Sequence, residues 1–352
     1  MNSYSFDQVF NSNSGWYRGD FHVHTTASDG DYPPSLVAEL AKAEDLDFIA
    51  ITDHNTIAGF SELRKDLDFL VVPGIEITLK EGHFNVFGMD GWRDWMDGIS
   101  VNQRKFSQSA KYQRVPDLMH QISAERLLNS INHPYLQPWE WNFNDTDLRT
   151  THCLEIWNDL YYPDNKRANP EAVDMWNRWL NAGHRIAAIG GSDYHYPPRP
   201  EENKFGERLG YPATLVYADE LSVAGIMAGL RHRRTYVSKG PQVSFEAEIN
   251  GEIFGIGADA GDGEGKIKFA ATILSKPKTI QAQLVKNGQV IAEVEGKGRK
   301  VEITFSDLLD GNTSAWYRLD VSDSEGQKLV ITNPIFTGPR REPTLFKYGD
   351  FV

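Results

Sequence analysis

The chain has one cysteine, Cys153, in 352 residues. A single thiol cannot build an intrachain disulfide framework, which suits a reducing compartment, and the apolar neighbours in "CLEIW" mark Cys153 as a core thiol rather than a ligand or nucleophile. No stretch reaches the run of about 18 apolar residues that a membrane-spanning helix needs. The first residues, "MNSYSFDQVF", lack the basic start and apolar core of a leader peptide. A cytoplasmic protein with no membrane partner is expected. Cations are also in short supply. Lysine and arginine total 36 against 49 acidic residues, a formal charge of −13, so the surface is not built to neutralise a long phosphate backbone and nucleic acid is disfavoured as a partner. Neither a G-x-S-x-G elbow nor a G-x-x-x-x-G-K-S/T loop is present, which removes the serine-hydrolase and P-loop signatures.

What is present divides into two grammars. Up to about residue 240, short apolar runs alternate with amphipathic segments. "LDFIAIT" (46–52), "FLVVPGIEIT" (69–78), "FNVFG" (84–88), "LLNSIN" (127–132), "CLEIW" (153–157), "RIAAIGG" (185–191) and "ATLVY" (213–217) read as strands. Residues 34–46 and 169–183 read as helices, the second with Asn169 as N-cap, Pro170 in the first turn and Gly183 as its stop. Such alternation predicts an α/β barrel over residues 1–240 with a mostly parallel sheet. From residue 241 to 352 the alternation has period two, with an "NG" hairpin signal at 287–288, which predicts a small antiparallel β-sandwich domain. The glycine-rich stretch 251–266 fits neither a nucleotide-binding nor a calcium loop and reads as a loop between strands. The basic "RHRR" (231–234) ends a predicted helix, where its charge complements the dipole.

Titratable groups gather at the ends of the apolar strands of the first part. In "FHVH", His22 and His24 are two apart, so both project from the same face of one strand. Asp29 follows in "SDG"; then come Asp53 and His54, Glu76, His83, His133, Glu155, and Asp193 with His195. Barrel enzymes collect their chemistry at that end of the sheet. Singly each residue has an ordinary structural explanation; as a set they point to a metal cluster.

The motifs "HVHTTASDG", "ITDHN", "PGIEIT", "NHP" and "GSDYH", in this order, resemble those of the PHP (polymerase and histidinol phosphatase) superfamily of metallophosphoesterases. "GWYRGDFHVHT", "GHFNVFG", "RRTYVSKGP" and the tail are similar to its CehA/McbA-type branch. The resemblance implies a distorted (β/α)7 barrel followed by a small all-β sandwich, with two or three divalent metal ions (Zn, Mn or Fe). It implies a first metal on His22, His24, Glu76 and Asp193. A second would share Glu76 and add His83 and His133, and a third would take Asp29, His54 and His195. Asp29 stands where some members have histidine.

Three divalent ions against the carboxylates of Asp29, Glu76 and Asp193 would leave about +3 in the pocket, which favours an anionic substrate. A hydroxide bridging two metals would then attack a phosphoryl centre. Around this core, Asp53 is expected to orient the His54 ring or else to cap a helix. His195 is a candidate proton donor to the leaving group. Glu155 and Asn158 are expected to orient a water or a substrate hydroxyl, or to make a structural hydrogen bond. Arg199, Lys204 and Arg208 are candidates to clamp phosphate oxygens. Tyr135, Trp139, Trp141, Trp157, Tyr161 and Tyr162 either line a substrate pocket or cover the barrel rim. Three functions are consistent with these residues. One is a metal-dependent phosphoesterase acting on a small phosphomonoester or phosphodiester. Another is a metal-dependent hydrolase of carbamate, ester or amide bonds, and the third is a non-catalytic binding module.

Overall fold

A computed structural model describes residues 4–89, 91–98, 115–198 and 206–352. Its first seven strands are β1 (Gly15–Val23), β2 (Phe48–Ile51), β3 (Leu70–Leu79), β4 (Gly82–Phe87), β5 (Leu128–Ile131), β6 (Cys153–Asn158) and β7 (Ala187–Gly191). Strands β1–β2–β3 and β5–β6–β7 pair in parallel, whereas β4 runs antiparallel to both β3 and β5. The sheet is thus parallel except at one strand. Just past β7 the chain returns to β1, where His24 N–H donates to the Tyr194 carbonyl at 2.8 Å. Six of the seven strand expectations fall within a few residues of β2 to β7, and the seventh, 213–217, falls on the strand Ala213–Ala218. The alternation with helices is incomplete among the described residues: α1 (Pro34–Ala43) follows β1, α2 (Val115–Ala124) precedes β5, and α3 (Asn165–Asn181) lies between β6 and β7. The direct β3–β4 connection makes a hairpin there.

Most residues of β2 to β7 are buried, because helices or other strands cover both faces, and this is why the sequence shows continuous apolar runs rather than alternation. Helix α1 starts with Pro34 as the sequence indicated. Helix α3 starts one turn earlier than expected, so Pro170 lies inside it and Asn169 is not its N-cap. The Asn169 side chain instead pairs with the backbone of Asn158, accepting at 3.0 Å and donating at 2.9 Å, which ties α3 to β6. Gly183, at φ +103°, ends the helix by taking the left-handed conformation that favours glycine.

Beyond these, β8 (Ala213–Ala218) runs antiparallel to β1, and after α4 (Val223–Arg231) comes β9 (Thr235–Ser238). Arg231 closes α4 as expected of the basic run. The tail comprises β10 (Gln242–Ile249), β11 (Glu252–Gly255), β12 (Glu264–Lys286), β13 (Gln289–Asp310), β14 (Ala315–Asp323), β15 (Lys328–Thr332) and β16 (Ile335–Thr337), with antiparallel pairing throughout. Asn287 and Gly288 take positive φ at the β12–β13 turn, the conformation their dipeptide signals. The glycine-rich stretch is only partly loop: residues 252–255 form β11, and Ala260 N–H donates to Phe336.

The tail continues the sheet of the first part. Strand β9 pairs with β15, and Asn333 bonds Ala188 through both ends of its amide. Trp316, Ile331 and Phe336 share one apolar core with β6, β7 and α3. The sheet therefore crosses residue 240 without a linker. No helix among the described residues is long and apolar enough to cross a membrane.

Candidate metal centre

The C-terminal ends of β1, β2, β3, β5, β6 and β7 converge on one cluster of imidazoles and carboxylates. The alternation of β1 puts His22 and His24 on one face, both fully buried. Glu76, also buried, lies at the centre. Its Oε1 is 3.2 Å from His22 Nε2, 3.4 Å from His83 Nδ1 and 3.5 Å from His133 Nε2. Its Oε2 faces the other way, 2.6 Å from His54 Nδ1 and 3.7 Å from His24 Nε2. Asp193 Oδ1 stands 3.1 Å from His22 Nε2 and 3.0 Å from His24 Nε2. Farther out, Asp29 Oδ1 lies 3.5 Å from His54 Nε2 and 3.4 Å from His195 Nε2. All nine expected ligands thus gather in one place, in overlapping groups: His22, His24 and Glu76; His22, His133 and Asp193; Glu76, His83 and His133; and His24, Asp29, His54 and His195.

These donors fit divalent cations. Ligand atoms about 2.0–2.2 Å from a shared ion stand about 3.0–3.5 Å apart, the spacing of His22 from Glu76 and, separately, of His22 from Asp193. Buried nitrogens without a hydrogen-bond partner occur at His22 Nε2, His24 Nδ1 and His133 Nδ1, each of which would otherwise cost about 1–3 kcal/mol. Imidazole and carboxylate donors without thiolate suit zinc, iron or manganese. His133 and Asp193 also hold φ of +28° and +54°, backbone strain of the kind found where function fixes a side chain.

The cluster's electrostatics depend on its own pairing. Burial opposes ionisation of Glu76, yet His22, His54 and His83 hold it well below the usual carboxylate range. Asp193 is lowered in the same way, against burial, by His22, His24 and His195. Burial also works against charge on His54, but Glu76 and Asp29 push its pKa up to about 9. Burial together with neighbouring His195 and His54 drives His24 well below its ordinary value. Protons therefore occupy part of the cluster at neutral pH, and a cation would have to displace them.

The surrounding shell corrects several expectations. Asp53 does not orient His54: its carboxylate accepts from Thr25 N–H (2.7 Å), Thr25 Oγ1 (2.8 Å) and Ser28 Oγ (2.7 Å), bracing the loop that carries Asp29. His54 Nδ1 lies 2.6 Å from Thr78 Oγ1. Asn158 is fully buried and faces no open space: its amide donates to Glu155 at 3.1 Å and to Asp193 at 3.4 Å. Glu155 lies 3.0 Å from His22 Nδ1 and accepts the His133 N–H at 2.9 Å, so it positions ligands. Arg208 is spent on Glu44 at 2.7 Å and is exposed. Arg199 and Lys204 lie outside the described residues. Among the aromatics, Trp141 and Trp157 are buried in the core, while Trp139 and Tyr161 are exposed.

Other positioning groups carry weaker sequence signals. Asn132, adjacent to His133 in "NHP", donates to Glu76 Oε1 at 2.9 Å. Glu207 accepts the N–H groups of His195 and Tyr196. Asp20, two residues before His22, accepts from the N–H groups of His22, Ser192 and Gly210 and so joins β1 to the β7 end. Only position 20 had a visible hint, a buried acid inside an apolar strand. Glycine at 191 is dictated by proximity: a Cβ there would stand 2.5 Å from the Cβ of His22.

Residues 20–162 match the PHP domain family. The 5'-3' exoribonuclease of Haemophilus influenzae is 37% identical over 62 residues, 17% of this chain and 23% of that protein. The 5'-3' exoribonuclease Rnm of Escherichia coli is 37% identical over 70 residues, 18% of this chain and 24% of that one. The chain thus spans about a quarter of these curated relatives' length. Among solved structures, a two-domain protein from Bacteroides vulgatus, described as containing a predicted PHP-like metal-dependent phosphoesterase, is similar along nearly the whole fold. Its TM-score is 0.52 at 19% identity, covering 95% of this chain and all of that one. Residues 20–162 thus resemble a PHP domain, and the Bacteroides vulgatus protein is similar to this chain in fold.

Proposed function

We propose that the protein is a metal-dependent phosphoesterase acting on a small phosphomonoester or phosphodiester, of the CehA/McbA-type branch, with a distorted (β/α)7 barrel as its catalytic part. The observation that carries this is the division of Glu76: one oxygen faces His22, His83 and His133 while the other faces His24 and His54. A carboxylate so placed can bridge two cations. Bound there, divalent metals would supply Lewis acidity and a lowered pKa for water.

The chain's own residues do the rest. Glu155 and Asn158 fix His22, His133 and Asp193 before any cation arrives, so that the donors need not reorganise. Asp53 holds the turn that presents Asp29. His195, on the more exposed edge of the cluster beside Asp29, would join Asp29 and His54 in holding a cation nearest to solvent. Excess positive charge in the loaded pocket would then select an anion.

Glu76→Gln keeps the shape of this side chain and removes its charge. It should lower metal content and reduce turnover of p-nitrophenyl phosphate or its bis-ester by at least about 100-fold, with cooperative unfolding retained. Unchanged turnover would contradict the proposal.

A further inference from the structure

A cavity of about 630 Å³ lies between α3 and the tail, outside the metal centre. Its walls are partly apolar, from Trp157, Val173, Val290 and Ile331. The charged lining consists of Lys166, Lys239, Arg318 and Lys328 against Asp174 and Asp320, a positive excess in a chain of net charge −13. Asp320 is buried and already engaged by Arg318 at 2.8 Å and by Lys328 at 3.2 Å. Asp174 is exposed.

Lys239 differs from these. Its half-buried ammonium lies 4.7 Å from the centre of the Trp157 ring and, among the described residues, makes no hydrogen bond or ion pair. Burial lowers its pKa, Asp323 acting in the opposite direction. Desolvating a cation without a counter-ion is unfavourable, a cost that an anion in the cavity would offset.

Two residues of the same lining, Asn165 and Lys166, carry oxygens without a full set of donors. Asn165 is 2% exposed. Its amide nitrogen is committed to the Asn158 side chain at 3.1 Å and to the Asp159 carbonyl at 2.9 Å, which fixes the amide orientation. Its Oδ1 is left buried without a partner. Pro170, inside α3, has no N–H, so the Lys166 carbonyl lacks its helical donor.

We propose that this cavity is a binding site for a small organic anion that also carries a hydrogen-bond donor, its acidic group pairing with Lys239, its donor meeting Asn165 and its body against Trp157 and Val290. The tail supplies one wall, which gives that part of the chain a role in recognition. The site does not depend on the catalytic reading. Two hydrogen bonds connect the cavity to the cluster, because Asn165 bonds Asn158 and Asn158 bonds Asp193.

The test is calorimetric titration of the full chain with 4-hydroxybenzoate, benzoate and 4-hydroxybenzyl alcohol, each in metal-loaded and chelator-treated protein. Expected is one saturable site for 4-hydroxybenzoate in both forms, weaker binding of benzoate and none of the alcohol. Lys239→Met, which keeps the packing over Trp157, should weaken binding at least tenfold. Val290→Glu, at a half-exposed position, should do the same without disturbing the fold, and Lys300→Met should change nothing. Binding only to metal-loaded protein would assign the anion to the metal centre and overturn the proposal. So would no binding, or equal affinity in Lys239→Met and the parent.

Discussion

Glu155 Oε1 lies 3.0 Å from His22 Nδ1, on the side of the ring opposite to the Nε2 that faces Glu76 and Asp193. A carboxylate there keeps the proton on Nδ1 and leaves Nε2 free to face a cation. Glu155→Gln should therefore cost about 10–100-fold in metal affinity. Titration with a fluorescent competing chelator would check it, and an unchanged affinity would mean that the pair is structural only.

Asp53 acts on one part of the cluster. Its three hydrogen bonds all go to Thr25 and Ser28, in the turn before Asp29. Asp53→Ala should release that turn and, if cations bind as proposed, deplete the one placed on Asp29, His54 and His195 before the inner ones. Metal analysis of the purified variant is expected to show one fewer ion per chain than the parent. Equal loss at all positions would contradict this division.

Gly191→Ala tests proximity. The new methyl would crowd His22 Cβ and stand 3.1 Å from Glu155 Oε1. β1 or β7 must shift, at a cost of about 1–3 kcal/mol for overpacking. Lower thermal stability together with weakened metal binding is expected; a parent-like protein would show that the strands yield freely.

The pH dependence follows from the protons that a cation must displace. His54 is raised to about 9 in the metal-free fold, above its unfolded value near 6.5. Its contribution, up to about 3 kcal/mol, is complete below about pH 6.5 and is lost as pH rises through about 9. Glu76 and Asp193 are depressed, so their contribution is present above their unfolded values and lost in acid. Metal-free protein should thus lose stability between about pH 6.5 and 9. Loaded protein should not, and metal uptake should release protons measurable in buffers of different ionisation enthalpy. A metal-induced rise in melting temperature that shrinks toward pH 9 would refute this.

Much of the cluster was legible because its residues sit in the apolar strands or within a few positions of their C-terminal ends. His22 and His24 had to share a face, and Glu76 and Asp193 followed apolar runs that could only be buried strands. The roles of Asp53 and Asn158 were not legible, since both depend on which loops meet at the sheet ends. Arg208 illustrates the same limit, because its partner Glu44 is 164 residues away. The start of α3 was misplaced because Pro170 usually marks a first turn, and here the pairing of Asn169 with Asn158 holds the helix against β6. Likewise the period-two tail announced its strands but not the β9–β15 pairing that joins them to the first part.

The most direct measurement is nitrophenol release from p-nitrophenyl phosphate and from its bis-ester, by chelator-stripped protein reloaded separately with manganese, zinc and iron. The account predicts release from at least one ester that requires metal and disappears in Glu76→Gln. Silence on both esters with metal bound, or release that survives without metal, would contradict it, and in the first case cleavage of a naphthyl carbamate would redirect the assignment to carbonyl substrates.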